Sequence, residues 1–182
     1  MLRSLVAFAL FLNFCLAAIA KPLSSTLNYQ EINPNLLSMG QIDFDQIATL
    51  PEAQVDLVIN LTQNPSDRMA REGYDISQLG INYVHIPVDW SSPADSDYKL
   101  FAQVLQAAGP QKVLVHCDAN YRASAFIYLY RRLVLNTDEA QARADLDAIW
   151  EKEAWKAYPQ WLDFIDQTLS QTDSPEGSNP GN

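Results

Sequence analysis

The segment KVLVHCDANYRASAFIYLY, residues 112 to 130, constrains this chain more than any other. Within it Val113-Leu-Val115 is apolar and rich in β-branched residues, the pattern of a buried strand, and Ala123 to Tyr130 is a buried-helix sequence. Cys117 therefore falls in a tight loop between a strand and a helix N-terminus. Such a junction turns successive backbone N–H groups and the positive end of the helix toward one point, where an anion or a thiolate is stabilised. Arg122 adds a planar, permanently charged fork suited to a tetrahedral oxyanion. The loop contains no glycine, so Asn120 is its best candidate for a left-handed conformation. Ser124 could donate a hydrogen bond to the sulfur.

Cysteine usage sharpens the reading. The chain has two cysteines, Cys15 and Cys117. Met1-Leu-Arg3 forms a basic start, Leu5 to Leu16 is largely apolar, and Ala18-Ile-Ala20 offers a small-residue cleavage site, so residues 1–20 read as a signal peptide. The mature protein is then expected outside the cytoplasm, periplasmic or secreted, with Cys117 as its sole thiol. A lone cysteine retained in an oxidising compartment invites a chemical role, although a buried core thiol would satisfy the count equally well.

The rest of the 182-residue chain is enough for one domain with a sizeable core. Residues 21–37 are polar and proline-punctuated and read as an irregular N-terminal arm. A short helix is expected over 43–50, strands over 55–61, 82–88 and 112–116, a polar helix or loop over 67–79, and a helix over 95–108 stopped by Gly109-Pro110. Helices follow over 123–135, 138–150 and 160–170, the last opened by Pro159. Strands alternating with helices predict an α/β fold, a parallel-rich central sheet flanked by helices with a helical C-terminal part. Ligands in such sheets bind at the carboxyl ends of strands, where Asp89 and Cys117 both lie. Residues 171–182, QTDSPEGSNPGN, have nothing to bury and read as a disordered tail.

The formal net charge of −10 disfavours nucleic acid and anionic membrane as partners. No metal-ligand cluster is visible, and no cofactor is expected. Trp150, Trp155, Tyr158 and Trp161 read as packing for the C-terminal helices. Asn60-Leu-Thr62 matches a glycosylation sequon inside an expected buried strand and is discounted on that ground.

His116-Cys117 to Arg122, with Asp89 in Ile86-Pro-Val-Asp-Trp90 upstream, resembles the cysteine-dependent protein tyrosine and dual-specificity phosphatases. Within them it is most similar to the bacterial phosphatase-like branch also found in beta-lactamase-hybrid proteins. Met39-Gly-Gln41 and Val58-Ile-Asn-Leu61 share the likeness, which covers about residues 38–135 of an expected phosphatase-like domain over 38–170. The resemblance implies a phosphomonoester hydrolase acting through a phosphocysteine, on a phosphorylated protein or small phosphate ester. Cys117 would be the nucleophile, Arg122 the phosphoryl clamp and Asp89 the general acid; Asp118, Ala119, Asn120, Tyr121 and Ser124 would contact substrate. The spacing from Cys117 to Arg122 is one residue shorter than the phosphatase signature and equals that of rhodanese-type sulfurtransferase loops. Two alternatives therefore stand beside hydrolysis: sulfur transfer through a Cys117 persulfide, with a small sulfur anion as partner, and anion or phosphoprotein binding without catalysis.

Overall fold

The structure is a computed structural model and describes residues 21–63 and 67–172. Five strands form one sheet: β1 (Gln30–Asn33), β2 (Leu36–Met39), β3 (Leu57–Asn60), β4 (Asn82–His85) and β5 (Val113–His116), in spatial order β1-β2-β5-β3-β4. Only the β1–β2 hairpin is antiparallel; β2 with β5, β5 with β3 and β3 with β4 are parallel. Seven helices are described: α1 (Phe44–Ile47), α2 (Asp67–Gln78), α3 (Asp95–Ala108), α4 (Tyr121–Leu133), α5 (Glu139–Asp147), α6 (Lys152–Ala157) and α7 (Pro159–Thr172).

Strand alternation divides the core into two layers, because successive side chains point to opposite faces. Leu57, Ile59, Val113 and Val115 pack with Phe101, Phe126 and Trp161 against α3, α4 and α7. Val58 and Leu114 join Leu37, Met39, Ile47 and Ile76 on the α1 and α2 side. The same alternation assigns the next residues: Cys117 belongs to the first layer, while Asn60 and His116 pair in register within the second. Each of these strands is buried along its whole length, as a sheet covered on both faces requires.

Three expectations need correction. Residues 21–37 are not an irregular arm: they hold a 3-10 turn at Leu23–Ser25, all of β1 and the first half of β2, so the fold begins well before residue 38. Polar residues hid this hairpin, yet β2 is an interior strand and Ser38 within it is fully buried. The C-terminal part contains an additional short helix, α6, which buries no residue fully and so leaves no apolar period to detect. Finally, α7 opens at Pro159 but continues through Thr172, taking two residues assigned to the tail. The signal peptide over 1–20 and the remainder of the tail, 173–182, lie outside the described residues.

Candidate active site

Strand β5 delivers Cys117 at its carboxyl end, and α4 begins four residues later. The turn between them is made by Asn120, whose φ of 68° is left-handed, as the absence of glycine from the loop led us to expect. Its buried Nδ2 donates to the Asn28 carbonyl at 2.6 Å and to Ser38 Oγ at 3.0 Å. Asn28 returns the contact by donating from its own Nδ2 to the Ala119 carbonyl at 2.9 Å. The Gln41 N–H donates to the Asp118 carbonyl at 3.0 Å, and Gly40 bridges to Ala119. A Cβ at Gly40 would stand 3.0 Å from both the Asp118 and Leu27 carbonyl oxygens, so the close approach of these two segments requires glycine there.

These contacts orient the loop. The carbonyls of Asp118 and Ala119 are held by donors outside it, and that of Asn120 accepts from the Ser124 N–H inside α4. In a planar trans peptide the N–H points opposite to the C=O. The N–H groups of Ala119 and Tyr121 are thus turned away from those partners, and both residues line the cavity.

The cavity has a volume of about 250 Å³ and is lined by Trp90, Cys117, Asp118, Ala119, Tyr121 and Arg122. Cys117 is 1% exposed and Arg122 6%, so both are sheltered at its base. Arg122 Nη1 donates to Asp118 Oδ2 at 2.9 Å, while Arg122 Nε is buried without a hydrogen-bond partner. The Asp118 side chain is 60% exposed, and a pair with so exposed a carboxylate contributes about 1 kcal/mol or less. An incoming oxyanion, able to take charged hydrogen bonds from a sheltered guanidinium, is the stronger partner.

The walls are aromatic. The Trp90 ring lies 6.0 Å from Tyr121 and carries the Arg122 guanidinium 5.4 Å from its centroid. Behind these rings Trp150 donates its indole N–H to the Tyr121 carbonyl, and Trp161 donates to the Trp90 carbonyl, both at 3.1 Å. Trp150 stacks on Trp155 at 4.2 Å, and Tyr158 meets Trp90 edge-on at 4.8 Å. The C-terminal tryptophans therefore pack, as their sequence suggested, and what they pack is the back of the cavity wall.

Five residues singled out from sequence converge here: Cys117, Asp118, Ala119, Tyr121 and Arg122. Three do not line the cavity. The Asn120 side chain is turned into the seam with Asn28 and Ser38, where it braces the loop. Ser124 Oγ donates to the Tyr121 carbonyl, and its side chain lines a separate crevice with Gln30 and Arg131. Helical geometry explains this, since residues two apart are turned about 200° from each other around the axis and Arg122 already faces the cavity. The Asp89 Oδ1 accepts the N–H groups of Ser91 at 2.7 Å and Ser92 at 3.2 Å, capping its own turn next to Trp90. Its charge, after burial, contributes to raising the pKa of Asp97. Trp90 is the cavity residue that sequence reading passed over; its position directly after Asp89 was the available signal.

The sheet order, the strand-loop-helix junction and the cysteine-arginine cavity define a fold like that of the cysteine-dependent phosphatases. Comparison with solved structures makes the class specific. A DUF442 phosphatase-like protein from Shewanella putrefaciens CN-32 is 36% identical over 82% of this chain and 93% of its own, with a TM-score of 0.70. The chain belongs to this DUF442 family. TpbA of P. aeruginosa, also solved with bound phosphotyrosine, shares the fold at 18% identity and TM-score 0.61, over 81% of this chain and 92% of its own. The catalytic core of the PP-IP phosphatase SIW14 from S. cerevisiae does so at 12% identity and TM-score 0.63, over 81% and 94%. No family model and no curated protein matches the chain.

Proposed function

We propose that this protein hydrolyses phosphate monoesters through a phosphocysteine formed on Cys117. The observation that carries the reading is the convergence of Cys117, Arg122 and two aromatic walls, Trp90 and Tyr121, on one cavity. The thiolate attacks phosphorus, forming the S–P bond as the P–O bond to the leaving group breaks. Arg122 and the inward N–H groups of the loop hold the non-bridging oxygens as their charge develops. Asp89, which directly precedes the cavity residue Trp90, gives its proton to the leaving oxygen. Water, deprotonated by the same carboxylate, then attacks phosphorus, and the sulfur departs as thiolate.

Family membership supports a phosphatase, and aromatic walls suit an aryl ester better than a small sulfur anion, which would leave them without a partner. The reading predicts that rapid quenching with an aryl phosphate leaves the mass of one phosphoryl group on the peptide containing Cys117. A persulfide on that peptide after thiosulfate, with no phosphoryl adduct, would assign the site to sulfur transfer. We further propose that the protein acts after export, in the periplasm or outside the cell. The exported form should then begin at Lys21; an intact N-terminus on the recovered protein would contradict this.

A further inference from the structure

The second layer of the core contains a carboxylate that the proposed reaction does not use. Glu72, on α2, is 1% exposed, and an unpaired charge at that depth would be strongly destabilising. It is not unpaired. His116 Nε2 lies 3.0 Å from its Oε1, which also accepts Asn60 Nδ2 at 3.2 Å and the Tyr83 hydroxyl at 3.1 Å. Gln41 Nε2 donates to its Oε2. Strands β3, β4 and β5, together with the segment after β2, thus meet on one side chain.

Two of these partners flank the nucleophile. His116 immediately precedes Cys117, and the Gln41 backbone N–H donates to the carbonyl of Asp118, the residue immediately after it. The only side chain holding both flanks among the contacts described is Glu72, reaching from the far face of the sheet. Were its purpose only to dock α2, an apolar residue of similar volume would serve as well or better, since buried ion pairs are weak contributors to net stability.

We infer that Glu72 is a positioning residue for the Cys117 loop, acting through His116 on one side of the nucleophile and through Gln41 on the other. This rests on the reading of that loop as an oxyanion cradle. Glu72 touches no substrate; it fixes the Asp118 carbonyl in its outward direction, and so the Ala119 N–H on the same peptide toward the cavity. Side-chain networks of this kind couple non-additively, which gives a way to read them.

The test uses the mature protein and its variants Gln41→Ala, Glu72→Gln and the double variant. Gln41→Ala cuts one link at a half-buried side chain and leaves the Glu72 and His116 contact in place, so it reports even if Glu72→Gln folds poorly. The rate at which iodoacetamide alkylates Cys117 is measured against increasing inorganic phosphate, which needs no turnover. The half-protecting phosphate concentration should rise by about tenfold in Gln41→Ala, the size of one lost buried hydrogen bond, with the melting temperature little changed. Glu72→Gln should raise it at least as far, and the double variant no further than Glu72→Gln alone. Equal phosphate protection in the unaltered protein and in folded variants would overturn the positioning role while leaving the cradle standing. Absence of protection in the unaltered protein would overturn the cradle, and the positioning role with it.

Discussion

The Arg122 guanidinium carbon lies 5.4 Å from the centroid of the Trp90 ring, so the cavity's cation rests on the face of its aromatic wall. A partly desolvated contact of this kind stabilises the pair by about 1–2 kcal/mol and restricts where the guanidinium fork points. Trp90→Ala should lower kcat/KM for an aryl phosphate by about tenfold, whereas Trp90→Phe, which keeps a ring, should retain most of the activity. Trp90 also contacts Trp150, Tyr158 and Trp161, so the alanine variant should lose about 3 kcal/mol of stability in chemical denaturation. Unchanged kinetics in a folded alanine variant would show that the wall takes no part in binding.

Asp89 is bound to its own turn, and Asp89→Asn keeps an oxygen able to accept from Ser91 and Ser92. Any loss in that variant is therefore a loss of proton transfer and not of the turn. Aryl phosphate hydrolysis should slow by about 10²-fold or more, and the basic limb of its pH profile should disappear. Asp95→Asn, in the first turn of α3 and ion-paired with Lys99, is the control and should change little. A profile that keeps its basic limb would reduce Asp89 to a turn residue.

Acid should weaken the fold through Glu72. Burial alone would raise its pKa, but the hydrogen bond and charge of His116, with hydrogen bonds from Gln41 and Tyr83, outweigh burial and hold it below the ordinary glutamate value. A carboxyl depressed in the folded state contributes stability that is complete above its unfolded value and is lost as pH falls through the folded one. The urea midpoint should accordingly fall as the pH drops below 4.5, the ordinary value, and Glu72→Gln should flatten that part of the curve. Parallel curves for the two proteins would place the acid sensitivity elsewhere.

The cysteine loop was legible because everything it needs is local: an apolar strand, a cysteine, an asparagine for the left-handed turn and an arginine in the first helical turn. The parallel strands β3, β4 and β5, of which β4 is the sheet's edge, were legible for a related reason, their β-branched and apolar runs. What escaped was whatever depends on contacts between distant segments. Leu36-Leu37 reads as the end of a polar arm, and only the sheet shows that a strand runs on from it through Ser38, which is buried as a hydrogen-bond partner of Asn120. Glu72 sits in a polar helix and looks like a solvated charge, since its four partners, three hydrogen-bond donors and the His116 ring, come from other segments of the chain. Ser124 lies near Cys117 in sequence, but the rotation of α4 between Arg122 and Ser124 turns it to a separate crevice.

The central claim is that Cys117 is the nucleophile of a phosphatase, and paired assays on the purified mature protein and on Cys117→Ser test it most directly. One assay offers an aryl phosphate, the other thiosulfate with cyanide as sulfur acceptor. Phosphate release should dominate, be inhibited by vanadate and disappear in Cys117→Ser. Dominant sulfur transfer that depends on Cys117, or phosphate release that survives in Cys117→Ser, would contradict it.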